Sequence, residues 1–340
     1  MINATTFVTL ISAITKNKEI EEMGVKRRIT KSAKNNQVTL NQAFDEFITE
    51  KEARNLSVAT IRNYKESYAA FHAFNGYDYL EDINAQSFFT WIKAMKDNNI
   101  KPASINHYLR DCRAFFYWCM DEERGYLKQF KISTIESQEE QLKFFTDDEL
   151  MRLLKKPHKD DSFVDWRMWA IVNWVLGTGN RASTVCDVML DDIDYHAKEI
   201  ALRHTKNKKA QIIPLSPTLE MAIKEYIKLW RRSAPSGYLF PSVAEEQLTT
   251  NALRQSFARY AEKRSVNRHN IHGLRHNFAR GWIRNEGNMF ALQKILGHSS
   301  LEMTRKYVKL FTEDIKKDYD KFSPLDTMKR SGKRTQIVKR

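Results

Sequence analysis

Apolar residues recur every three or four positions through most of this chain, the spacing of one buried helical face. Between 38 and 130 the pattern predicts four helices. Thr39 and Gln42 are spaced as a capping box, ahead of a face of Leu40, Phe44, Phe47 and Ile48. Ser57 can cap a second helix bearing Ile61, Tyr64, Tyr68 and Phe71, and Asn84 a third with Phe88, Trp91, Ile92 and Met95. Pro102 suits a first helical turn, and Ile105, Tyr108, Cys112, Phe115 and Cys119 follow from it. Short connections between such helices predict a compact bundle.

Residues 131–144 (KISTIESQEEQLKF) are mostly polar and without period, and read as a linker. A second capping box, Thr146 with Glu149, then opens a helix with Leu150, Leu153 and Leu154. The next helix turns Phe163, Trp166, Trp169, Ala170, Asn173 and Leu176 inward and stops at Gly177-Thr-Gly179, with Arg181 near the start of its successor. The period changes over 199–215. Ile200 and Leu202, then Ile212, Ile213 and Leu215, flank a polar turn at Lys206-Asn207-Lys208-Lys209, which predicts a β-hairpin with a basic tip.

Helical spacing returns at about 218–232 (Leu219, Ile223, Tyr226, Ile227, Trp230) and 249–264 (Leu253, Phe257, Tyr260, Ala261). Within HGLRHNFARGWIRNEGNMFALQKILGHSSLEMTRKY, one helix carries His272, Arg275, Phe278, Trp282 and Ile283, and a second runs from Phe290 to Leu296. Gly297 ends the second. Ser299 and Glu302 cap a third helix holding Tyr307, which leaves His298 in a turn with its ring free to face a cleft. The fold class expected is mainly α with a small β-hairpin or sheet (α+β). The domains are an extension at 1–37, a helical bundle at 38–130, a linker at 131–144, a second domain at 145–325 and a basic tail at 326–340.

Composition narrows the partner. Lys and Arg outnumber Asp and Glu by 56 to 42, a formal charge of +14, which favours a polyanion. Basic residues on the bundle (Lys51, Arg54, Arg62, Lys65, Lys93, Lys96, Arg110, Arg113) serve solubility as readily as DNA contact. Residues 1–37, with Phe7, Leu10, Ile11 and Ile14 on one face and a basic run from Lys26 to Lys34, read equally as a DNA-touching arm or an appended helix. The final stretch, 329–340, has six Lys or Arg and no acid, which would attract phosphate. Three cysteines argue against a disulfide framework. No apolar run reaches the ~18 residues of a spanning helix, and FVTLISAI lacks a preceding positive region. A cytoplasmic protein with no membrane partner is expected.

The polar residues suit attack on a phosphodiester without a metal or other cofactor. Arg181 and Arg275 can neutralise a phosphorane through paired, permanently charged donors. His272, three residues before Arg275 and on the same helical face, and His298 can donate to a non-bridging oxygen or take a proton. Lys206 can protonate a leaving 5′ oxygen. Tyr307 is the candidate nucleophile; its phenol titrates near ~10 in water and needs a cationic pocket or a base. Each residue also has a structural reading, and His272 with His276 has the spacing of two zinc ligands, although Arg275 would oppose a cation there.

Taken in order, Arg181, Lys206, His272-x-x-Arg275, His298 and Tyr307 resemble the active site of the tyrosine recombinase, or phage integrase, family. HGLRH and LGHSS…Y are close to its most diagnostic segments, and Lys206 ahead of Pro214 is similar to its hairpin lysine. The resemblance covers about 38–325. It implies a helical core-binding domain, a catalytic domain, a 3′-phosphotyrosyl intermediate on double-stranded DNA and a tetrameric synaptic complex. Accessory excision or bending proteins are further partners of such a system. It also implies a C-terminal helix docking on a neighbour, for which Phe311, Ile315, Tyr319 and Phe322 have helical spacing. The family usually carries an acid three residues after the first arginine, where this chain has Thr184, with Asp187 and Asp192 as substitutes to be considered. The expectation is an integrase or transposase of a mobile element or phage. The alternatives are an Xer-like chromosome-dimer resolvase, a type IB topoisomerase and a catalytically silent DNA-binding regulator.

Overall fold

The computed structural model describes residues 38–137, 143–202, 211–231, 236–298 and 300–308. The extension at 1–37, the hairpin tip with Lys206, the Ser299 cap and everything after 308, including the segment with Phe311 to Phe322 and the basic tail, lie outside the described residues. The chain divides at 140/141 into two compact units.

The first unit contains α1 (Leu40–Ala53), α2 (Val58–Asn75), α3 (Ala85–Asp97) and α4 (Pro102–Cys119). Local chemistry sets their starts. Thr39 and Gln42 exchange capping hydrogen bonds, Ser57 accepts from the Thr60 amide, Asn84 accepts from the Gln86 amide, and Pro102 occupies the first turn of α4. Phe47, Phe71 and Phe116 are fully buried, each worth roughly 1.5–3 kcal/mol of transfer free energy. Tyr64, Tyr68 and Tyr108 are half-buried rather than core. Cys112 and Cys119 share the buried face of α4.

The second unit is built around α6 (Phe163–Thr178), against which α5 (Asp147–Leu154), α8 (Pro217–Tyr226), α9 (Thr250–Lys263) and α10 (His272–Arg284) pack. Four neighbours explain why α6 is apolar almost all round. Met168, Ile171, Val172 and Trp174 are as buried as the expected Trp166 and Ala170, whereas Asn173 and Leu176 are only half-buried. Asn173 returns its amide to the Trp169 carbonyl at 2.9 Å, a local bond that suits a less buried edge.

A short helix α7 (Ala182–Asp187) leads to a three-stranded antiparallel sheet in the order β1 (Ile193–Asp194), β2 (Glu199–Leu202), β3 (Gln211–Pro214). Ile200 pairs with Ile213, both facing the core, while Ile212 on the opposite face is 63% exposed. The two-residue strand β1 is too short to leave a periodic signal. The helix expected over 218–232 is α only to Tyr226 and continues as a widened π turn, Ile227–Arg231. That turn carries Arg231 inward to Glu245 and to the carbonyls of Ser236 and Tyr238, while Trp230 stays 37% exposed. Two further helices, α11 (Met289–Leu296) and α12 (Leu301–Val308), pack on each other and on α10. Among the described residues no helix is long and apolar enough to cross a membrane.

Candidate active site

The site starts where α6 stops. Gly179 ends the helix in the left-handed conformation, φ +67°, and an added Cβ would lie 2.5 Å from Phe278 Cδ1 and 2.8 Å from Leu296 Cδ2. Only glycine meets both demands. Trp174 Nε1 donates to Asn180 Oδ1 at 2.9 Å, pinning the turn to the core. Arg181 follows as the N-cap of α7 with extended backbone.

Two guanidinium groups converge there. Arg275, on α10 and 3% exposed, donates from Nη1 to the Gly179 carbonyl at 2.7 Å and from Nη2 to the Leu296 carbonyl at 2.9 Å. Its Nη2 also lies 2.9 Å from His298 Nε2. Arg181, half-buried, reaches the Gly297 carbonyl at 3.5 Å. These partners are neutral. The carbonyls of Leu296 and Gly297 are the exposed negative end of α11, which offsets part of the arginine charge. Burial and the neighbouring Arg181 push the Arg275 pKa down to about 10, which leaves it cationic at neutral pH. Arg181 is lowered by burial, with Tyr307 opposing.

His298 follows Gly297, which takes φ +60° at the end of α11. Its ring is held at both nitrogens rather than free. Arginine can only donate, so Nε2 accepts from Arg275, and Nδ1 donates to Thr304 Oγ1 at 2.8 Å. Tyr307, on α12, is 4% exposed and packs with Ala279, Leu292 and Leu296. Its ring is parallel to that of His298, centroids 6.4 Å apart. Burial raises the phenol pKa, and Arg275 and Arg181 oppose that rise.

His272, at the solvent-facing start of α10, stands edge-on to His276 with ring centroids 4.6 Å apart. Protein packed around it and the cations Arg275, Arg181 and Arg254 lower its pKa. Among the described residues no three His, Cys, Asp or Glu are grouped to hold a metal. Thus the structure brings Arg181, His272, Arg275, His298 and Tyr307 to one place, while Lys206 lies outside the described residues.

Three contributors carried little or no sequence signal. The Tyr307 hydroxyl lies 2.8 Å from His276 Nδ1; the spacing of His276 from His272 had pointed only to a metal. Thr304 receives the Nδ1 proton of His298 in the tautomer that Arg275 sets at Nε2. Gln211, the first residue of β3, donates to the Lys294 and Ile295 carbonyls, tying the base of the hairpin to the end of α11. Thr184 is buried beside Asn180, Arg181, Gln211 and Arg275. Asp187 accepts from Gln247 Nε2, and Asp192 caps the turn at Met189.

Two consequences are measurable. Gly179→Ala should destabilise the second unit by about 2–4 kcal/mol, the sum of left-handed strain and overpacking; a denaturant midpoint equal to wild type would contradict this. Burial, together with nearby cations, also holds His276 and His298 at about 4, against an ordinary 6.5. The unfolded chain therefore binds protons first, so stability is intact above about pH 6.5 and lost as pH falls toward about 4. Unfolding scans across that window should decline less steeply for a His276→Gln, His298→Gln double variant than for wild type. Equal slopes would contradict the assignment.

The pattern describing the phage integrase family matches residues 143–314, and that of the phage integrase N-terminal SAM-like domain matches 42–123. The chain is 28% identical over 288 residues to the tyrosine recombinase XerA of Thermococcus kodakarensis, spanning 83% of this chain and 95% of that protein. It is 23% identical over 286 residues to the tyrosine recombinase XerC of Staphylococcus aureus, spanning 82% and 96%. Among solved structures it is similar in fold to the Tn1549 transposon integrase in complex with transposon right end DNA, with a TM-score of 0.67 at 20% identity over 79% of this chain and 94% of that one. A lambda integrase tetramer bound to a Holliday junction gives 0.66 at 18% identity over 90% and 86%.

Proposed function

This chain belongs to the phage integrase family of tyrosine recombinases, and from that membership we propose that it cuts and rejoins double-stranded DNA at specific sites through a 3′-phosphotyrosyl intermediate. One observation carries the reading: two guanidinium groups held by neutral partners converge beside a buried tyrosine hydroxyl. Neutral partners leave the positive charge uncompensated until an anion enters, which favours a phosphodiester and the phosphorane that forms from it.

Tyr307 attacks phosphorus, and its bond to phosphorus keeps the energy of the cut strand, so a second hydroxyl can reseal it without ATP. Arg181 and Arg275 bind the non-bridging oxygens. His298 steadies Arg275, its Nε2 being the acceptor that the buried guanidinium holds. His272, at the open edge, is the histidine left to meet the incoming phosphate. Lys206 is assigned to the leaving 5′ oxygen on the family resemblance. No metal is required by this donor set, because the charge, the nucleophile and the proton donors are all side chains.

The Tn1549 and lambda integrase likenesses favour a mobile-element or phage integrase that assembles as a tetramer on two DNA sites; accessory excision or bending proteins would set its direction. The XerA and XerC relatives favour a chromosome-dimer resolvase as the second reading. A nicked oligonucleotide carrying an end of the encoding element should yield a covalent protein–DNA adduct, in EDTA as well as in magnesium. Binding without an adduct on any such end would support a silent regulator instead. Exchange at a single chromosomal site, but not at element ends, would support the resolvase.

A further inference from the structure

We propose that His276 is a catalytic residue of this site: through Nδ1 it holds the Tyr307 hydroxyl in the resting state and takes its proton during attack. The inference rests on Tyr307 being the nucleophile. It stands on the 2.8 Å contact between His276 Nδ1 and the Tyr307 hydroxyl, which is within reach for direct proton transfer. His298 is unsuited to that task, since its Nε2 is occupied by Arg275 and its Nδ1 by Thr304. His276 is one turn further into α10 than solvent-facing His272, half-buried, with Phe144 packed edge-on against its ring at 6.4 Å. That packing fixes the ring plane and aims Nδ1 at α12.

The charges around the ring explain why such a base stays idle until DNA arrives. His272 and Arg275 on the same helix face it. Arg280, also on α10, lies over Phe144, Tyr307 approaches from α12, and His298 lies within electrostatic reach. Burial and the cations push the His276 pKa down to about 4, so the ring is neutral and an acceptor, but a weak base. A phosphodiester seated on Arg275 offsets the part of that shift that comes from the guanidinium charge. The basicity of His276 therefore rises as substrate binds.

In the forward step the Tyr307 oxygen bonds to phosphorus and the phosphorus–O5′ bond breaks. The phenolic proton moves to His276 Nδ1, and the leaving 5′ oxygen takes its proton from a separate acid, the role given above to Lys206. Resealing runs the same path backwards, with His276 returning the proton to Tyr307.

The test is single-turnover adduct formation on nicked cognate DNA between about pH 6 and pH 9, for wild type, His276→Asn, His276→Ala and Tyr307→Phe. Asparagine places an oxygen where Nδ1 was, so it keeps the hydrogen bond and the fold but cannot accept a proton. Wild type should be nearly flat across the range. His276→Asn should be slower by about 10²-fold near neutrality and should rise close to tenfold per pH unit, because the phenol must then ionise unaided. A bridging 5′-phosphorothiolate, whose leaving group needs no acid, should not restore it.

The inference is overturned if His276→Asn stays within about threefold of wild type at every pH, or if the phosphorothiolate restores its rate. In both cases wild type forms the adduct and Tyr307→Phe does not. An adduct formed by Tyr307→Phe would overturn the nucleophile reading, and this inference with it.

Discussion

Tyr307→Phe should bind DNA as wild type does and form no covalent adduct. Phenylalanine keeps the ring that packs with Ala279, Leu292 and Leu296, so the fold around α12 survives. The hydroxyl removed hydrogen-bonds to His276 and to the Arg275 side chain, worth about 1 kcal/mol net for the neutral contact and roughly 1.5–3 kcal/mol for the charged one. Affinity is also insensitive, because binding to duplex DNA is spread over many phosphate contacts. Chemistry has no such reserve. In enzymes that work through a covalent intermediate, deleting the nucleophile costs on the order of 10⁶ in rate. Gel-shift titration and denaturing electrophoresis of the same samples would separate the two effects. A variant that fails to bind would mean that the hydroxyl organises the fold.

Arg275 should show the second largest effect, and its burial complicates the experiment. Alanine at this position removes the guanidinium proposed to bind the phosphate. It also strands the carbonyls of Gly179 and Leu296, at about 1–3 kcal/mol for each buried acceptor left without a partner. Arg275→Ala will therefore both slow cleavage and lower the unfolding midpoint. Arg275→Lys separates these outcomes, since an ammonium keeps the charge and can satisfy one carbonyl but cannot span both carbonyls and a phosphate. Its adduct formation should fall by about 10²–10³-fold, with DNA affinity at fixed salt changing only a few-fold. If affinity falls as far as rate, Arg275 contributes ground-state binding and its assigned role is wrong.

Much of this arrangement was legible before any coordinates. The capping boxes at Thr39 and Thr146 are local, so three residues suffice to predict them, and both form. The change of period across 199–215 predicted the hairpin strands β2 and β3, but with Ile212 and Ile213 adjacent it did not say which faces the core; the pairing with Ile200 buries Ile213 and leaves Ile212 exposed. The order of Arg181, His272, Arg275, His298 and Tyr307 suggested a common site, and the structure gathers those five. What could not be read depends on how helices rotate against one another. Both His272 and His276 lie on the polar side of α10, and only the packing of α12 decides that His276 meets the Tyr307 hydroxyl. The tie from Arg275 to Gly179 joins positions 96 residues apart, beyond any periodic signal. Likewise α6 looked one-sided in sequence, because nothing local reveals that four other helices surround it.

Thr184 bears on the electrostatics rather than the inventory of the site. A carboxylate there would pair with the arginines and offset their charge. The buried hydroxyl beside Arg181 leaves the pocket more cationic, which favours the ionised form of Tyr307 and the neutral form of the histidines. That balance would suit a phenolate on Tyr307, the proposed nucleophile.

The central claim is that Tyr307 becomes joined to the 3′ end of a cut strand, and peptide mapping of the trapped adduct tests it most directly. Wild-type protein incubated with nicked cognate DNA, then digested with nuclease and protease, should yield one nucleotide-bearing peptide, modified on Tyr307 through a 3′-phosphate. Attachment to any other residue, or through a 5′-phosphate, would contradict the account.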